Sequence, residues 1–126
     1  MLFKDVIGHD LVKQELQRSL ISKKIAHCQL ISGPEGSGAL PLTIAYARAI
    51  LCNGASEKSE TCNLKVSELK HPDLHFVYPV ANNQEVKSKA ISSDFILNWR
   101  EFLSSNPYGS LFEWYSAIGI ENKQGK

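Results

Sequence analysis

A glycine-rich turn at Gly33-Pro34-Glu35-Gly36-Ser37-Gly38 separates a short apolar run from a long one. It dictates the local order of the chain, which must run from extended segment through tight loop into helix. The spacing G-x-x-x-x-G is that of a phosphate-binding loop, in which a Lys and then a Ser or Thr should follow. The Lys would reach the β- and γ-phosphates as a point charge, and the hydroxyl would hold Mg²⁺. Ala39 and Leu40 occupy those two positions and can do neither job. Pro41 removes a further N–H from the opening turn of the helix, where phosphate would be received.

Periodicity on either side of the loop supplies the rest of the plan. Leu11, Val12, Leu16, Leu20 and Ile21 recur at helical spacing and predict a helix over 10–22. Cys28-Gln29-Leu30-Ile31-Ser32 predicts a strand over 28–32, the degenerate loop occupies 33–40, and a small-residue helix follows over 41–51. A polar stretch over 52–70 leads to a second predicted strand, 73–78, which Pro79 ends. The two strands are too far apart for a hairpin, so the expected arrangement is a parallel, right-handed βαβ unit. Beyond it lie a polar linker over 81–90 with Lys87 and Lys89, and an amphipathic helix over 92–105 carrying the stripe Phe95, Trp99 and Phe102. That stripe reads as a core-facing surface. An aromatic segment over 111–120 follows, and the polar tail Glu121–Lys126 fits a frayed terminus or a piece of a longer protein.

A length of 126 residues suits one domain-sized core. The 14 basic and 13 acidic residues leave a formal charge of +1, which exerts no chain-wide attraction on nucleic acid. No apolar run approaches the roughly 18 residues that suggest a membrane span, and no signal-peptide core follows Met1, so a cytoplasmic protein is expected. Cys28, Cys52 and Cys62 are too few and too odd in number to read as a disulfide framework, and are expected as thiols or metal ligands. Cys52, Cys62, His71 and His75 offer four ligand-type side chains, but without the tight C-x-x-C pairing of a zinc site. Cys28, on its predicted strand, is expected as a buried small hydrophobe.

Several stretches together resemble the clamp-loader ATPases of the AAA+ class. Phe3-Lys4-Asp5-Val6-Ile7-Gly8-His9 resembles their opening box F-x-D-V-I-G-Q, with His9 in place of Gln. Lys24 to Pro34 resembles the first strand and the approach to the loop, and Cys52 with His71-Pro72-Asp73-Leu74 resembles the stretch around a four-cysteine zinc module. With the Ala39-Leu40 loop, the likeness is to the delta-prime class of subunit in the bacterial DNA polymerase III clamp loader.

That resemblance implies an α/β fold, a three-layer P-loop NTPase-like (AAA+) domain with parallel strands, of which residues 1–126 would be the N-terminal portion. It implies a subunit without catalytic residues, cofactor or bound nucleotide at Gly33, Gly36, Gly38, Ala39 and Leu40. Its partners would be the ATPase subunits and the clamp-opening subunit, with DNA and the sliding clamp engaged indirectly and no membrane. The arginine that such subunits contribute in trans would lie outside this chain. Lys65 and Glu68 fall near the third and fourth cysteines of the zinc module, so Cys52 and Cys62 alone match its ligands and no metal is expected there. Two other readings remain, an ATP-binding P-loop protein with an atypical loop and a zinc-dependent interaction module.

Overall fold

The most apolar of the helices, α2 (Ala39–Cys52), organises the first part of the molecule. Its run of Ala, Leu, Ile and Tyr permits burial on more than one side, and Pro41, Leu42, Ile44, Ala45, Tyr46 and Cys52 are all buried. Pro41 is accommodated because it lies in the first turn, where backbone N–H groups have no partner within the helix. The computed structural model describes residues 1–52 and 59–120. The predicted tail 121–126, and part of the loop predicted over 52–70, lie outside the described residues.

The chain divides into two units, Met1–Leu74 and His75–Lys126. In the first, α2 packs against α1 (Asp10–Ile21), α3 (Ser59–Ser67) and a 3₁₀ turn at Phe3–Asp5. Val6, Leu42 and Ala45 form its centre, with Met1, Phe3 and Leu16 against them. The stripe predicted on α1 is only partly used: Leu16 and Leu20 are half-buried, whereas Leu11 and Ile21 are 79% and 84% exposed. Tyr46 is buried on α2, and its hydroxyl meets Ser19 Oγ of α1 at 2.7 Å and accepts from Gln29 Nε2 at 3.2 Å. A buried hydroxyl without partners would oppose folding, so these two contacts make the burial tolerable.

The second unit is built on aromatic rings. Ser92–Phe95 forms a 3₁₀ turn that runs into α4 (Ile96–Ser105), and α5 (Leu111–Ala117) follows. Trp99 stacks on Tyr78 with centroids 4.3 Å apart, and Trp114 meets both edge-on at 4.9 and 5.2 Å. Trp114 is 1% exposed and donates its Nε1–H to Pro79 O at 2.8 Å. The Phe95, Trp99 and Phe102 stripe is buried with Leu103, as a core-facing surface should be. Ser110 caps α5 reciprocally with Glu113: Glu113 N donates to Ser110 Oγ at 3.1 Å, and Ser110 N donates to Glu113 Oε2 at 2.7 Å.

The expected three-layer α/β domain with parallel strands is not what forms. Among the described residues there is no strand and no sheet, and the regular structure is helical. Residues 28–32 and 73–78 are non-helical but pair with no neighbour in a ladder, and Leu30 and Val77 stand 92% and 94% exposed. The second segment also straddles the boundary between the units. Apolar, β-prone sequence measures how well side chains suit a pleated surface, whereas a strand also needs another strand to take its N–H and C=O groups. Neither segment obtains one. Cys28 departs from expectation for the same reason, being an exposed thiol rather than a buried one.

Candidate functional site: the glycine loop and its surroundings

The glycine loop is a tight turn that leads directly into α2. Gly36 and Gly38 adopt φ of 75° and 101°, values that side chains disfavour, and Ser37 N donates back to Pro34 O at 3.1 Å to close the turn. Gly33 is constrained differently, since a Cβ there would lie 2.7 Å from Ser37 Oγ. Gly38 is buried where the loop enters α2, and the tip from Gly33 to Gly36 is exposed.

Ala39 and Leu40 open α2 and are half-buried. The helix begins two residues earlier than the periodicity predicts, so both positions lie on its first turn, where the cation and the Mg²⁺ ligand would be required. The nearest hydroxyl along the helix, Thr43 Oγ1, donates to Ala39 O at 2.8 Å. Lys13, on α1, directs its ammonium to Val6 O and lies 3.8 Å from Asp10. These groups are engaged within the fold.

One contact to the loop comes from a residue with no assigned role in the sequence. His9 follows Gly8 into the left-handed region, with φ of 59° and 66°, and its Nε2 lies 2.5 Å from Ser37 O. The opening box is thereby fastened to the loop, with the imidazole bonded to the loop's backbone. Its position at the end of the box, just before α1, was the available signal.

The other predicted ligand residues are not gathered. Cys52 and Cys62 form a disulfide with S–S 2.03 Å and Cα–Cα 5.7 Å, in place of the expected thiols. Two cysteines ten residues apart in sequence are here brought together because α3 folds back against α2. Sulfurs bonded to each other present no thiolate, and a charged Lys65 offers no lone pair to a cation. Glu68 is held by Lys70 at 3.0 Å. His71 Nδ1 accepts from Asp73 N at 3.2 Å, and His75 falls in the other unit. Among the described residues no cluster of three or more His, Cys, Asp or Glu is placed to hold a metal ion.

Each unit also carries a hollow away from the loop. In the first unit Leu2, Phe3, Leu20, Ala45, Arg48 and Asn63 border an apolar groove of about 450 Å³. Arg48 spans its floor, donating Nε–H to Asn63 Oδ1 at 2.8 Å and Nη1–H to Met1 O at 3.3 Å. In the second unit a more polar hollow of about 660 Å³ is bordered by Asn83, Glu85, Asn98, Tyr115 and Ile118. Neither is lined by the glycine loop. No helix among the described residues is long and apolar enough to cross a membrane.

Sequence comparison adds what geometry does not. Over 61 residues, 48% of this chain, it is 38% identical to DNA polymerase III subunit tau of Bacillus subtilis (strain 168). It is 28% identical over 71 residues to Protein STICHEL-like 4 and 29% identical over 62 residues to Protein STICHEL-like 1, both of Arabidopsis thaliana. These alignments take in 56% and 49% of this chain. The matched stretches span only 11%, 7% and 6% of those relatives' lengths. No solved structure matches. The family described as "DNA polymerase III, delta subunit" matches over residues 8–117, most of the chain and both units. By that match the chain belongs to this DNA polymerase III subunit family.

Proposed function

We propose that the chain is part of a delta-prime-type subunit of the bacterial clamp loader, a non-catalytic member that supports loading of the sliding clamp onto DNA. ATP is hydrolysed by neighbouring subunits. The observation that carries this reading is the pairing of a retained loop with Ala39 and Leu40 on the first turn of α2. The geometry of a phosphate loop is present, while the ammonium and the hydroxyl that neutralise the phosphates and hold Mg²⁺ are absent from the positions that require them. Membership of the DNA polymerase III subunit family supports the same role.

In this reading residues 1–126 are the N-terminal portion of a longer subunit. It works in the cytoplasm beside ATPase subunits and a clamp-opening subunit, and it meets DNA and the clamp through the assembly. The loop serves as a fixed turn that joins the opening box, through His9, to α2. A second reading, an ATP-binding protein with an atypical loop, draws on the preserved φ values at Gly36 and Gly38.

Titration with ATP and Mg²⁺ separates the two. The expected outcome is no saturable binding in the micromolar range by the chain as it stands. Micromolar binding would overturn the non-catalytic reading. Ala39→Lys with Leu40→Thr is expected to bring measurable nucleotide binding, because it restores the two missing groups on an existing turn.

A further inference from the structure

We propose that Cys52 and Cys62 are a reversible dithiol–disulfide couple that fastens α3 to α2. This inference goes beyond the clamp-loader reading and does not depend on it. The bond joins the last residue of α2 to the fourth residue of α3, a nine-residue helix. So short a helix is marginal by itself and relies on what attaches it. Near the disulfide, Arg48 donates to Asn63, one residue beyond Cys62, at 2.8 Å. Farther on, Val66 and Leu69 are 1% and 6% exposed. Opening the bond therefore leaves the C-terminal part of α3 anchored by burial and removes the covalent tie near its start.

The surroundings favour sulfur exchange over metal binding. Of the four positions a zinc module would use, Lys65 supplies no lone pair while charged, and Glu68 is paired with Lys70 at 3.0 Å. Cys62 is half-buried and Cys52 is 5% exposed, so Cys62 is the sulfur that a small reagent meets first.

The chemistry is thiol–disulfide exchange with a low-molecular-weight disulfide. The Cys62 thiolate attacks one sulfur of the reagent, forms a mixed disulfide and expels one small thiolate. Cys52, deprotonated, then attacks Cys62 Sγ and expels the second. Two protein thiols become one disulfide, the reagent disulfide becomes two thiols, and the two protons pass from protein to products. An excess of a small thiol reverses both steps.

The test uses the whole chain with Cys28→Ser, so that the exposed third thiol does not interfere. After equilibration with glutathione and glutathione disulfide at varied ratios, thiols are counted and the mass is measured. The expected result is a loss of both thiols in one transition without a retained glutathione adduct, reversed by excess glutathione. Amide hydrogen exchange across residues 59–67 is expected to speed by roughly tenfold or more on reduction, while α5 is unchanged. Cys62→Ser and Cys52→Ala should each resemble the reduced protein in α3. Three results would overturn the proposal: two thiols that survive excess glutathione disulfide, α3 exchange that ignores the redox state, or one equivalent of zinc in the reduced protein that Cys62→Ser removes.

Discussion

The two units solve the same problem with different materials. The first packs mainly aliphatic side chains around one apolar helix, adds a covalent link, and leaves Ile7, Leu11, Leu30 and Leu64 more than half exposed. The second puts Tyr78, Trp99, Phe102 and Trp114 into mutual contact and fastens the rings to the backbone through Trp114 Nε1 and Tyr78 Oη. Large rings bury much area per residue ordered, so a short segment can sustain a core. Aliphatic residues bury less area each, and in the first unit several of them stay exposed.

The sharpest way to break the comparison is Trp114→Ala. Both tryptophans lie in the second unit, so the fluorescence of the remaining Trp99 reports on that unit alone. Removal of so buried a ring is expected to cost about 3–5 kcal/mol in denaturant unfolding followed by that signal, with hydrogen exchange in α2 unchanged. Equal effects on both units would mean that they do not unfold separately.

Leu42→Ala makes the converse cut in the first unit. Leu42 is 3% exposed at its centre, and the expected loss is about 2–4 kcal/mol, read from hydrogen exchange in α2 while Trp99 and Trp114 fluorescence stays native. A cost well below this range would show that the first unit's core collapses around the cavity more readily than the aromatic one.

The smallest effect belongs to the cap of α5. Ser110→Ala is expected to cost about 1 kcal/mol by denaturant unfolding, since it removes the acceptor for Glu113 N. The Ser110 backbone N–H, and then its hydroxyl, hold the Glu113 carboxyl below its ordinary range. A carboxyl with a depressed folded pKa contributes stability that is fully present above its unfolded value and is lost as pH falls through the folded one. Unfolding followed across this acidic window should therefore show a decline that Ser110→Ala reduces, because one of the two hydrogen bonds from Ser110 to the carboxylate is gone. An unchanged pH profile would remove Glu113 from the account of the second unit's stability.

Much of this was legible from residues. The α1 periodicity, the Phe95, Trp99 and Phe102 stripe, and the missing Lys and hydroxyl at Ala39 and Leu40 each follow from local side-chain chemistry. The cap of α5 was not read from the sequence, although Ser110 and Glu113 have the spacing of a capping box. The strands over 28–32 and 73–78 were misread because local β-propensity cannot supply a pairing partner. His9 on Ser37 O and Cys52 on Cys62 escaped because each joins residues on different elements, well apart along the chain.

Chemistry carried by single residues is therefore readable in order along the chain: a glycine where φ must be positive, an alanine where a cation is absent, an aromatic stripe at helical spacing. Partnership is not. Whether a cysteine is a thiol, a ligand or half of a disulfide, and whether an apolar run becomes a strand, depends on which groups the packed helices bring within bonding distance. Those distances are set by the fold as a whole, because burial and hydrogen-bond satisfaction are properties of neighbours in space.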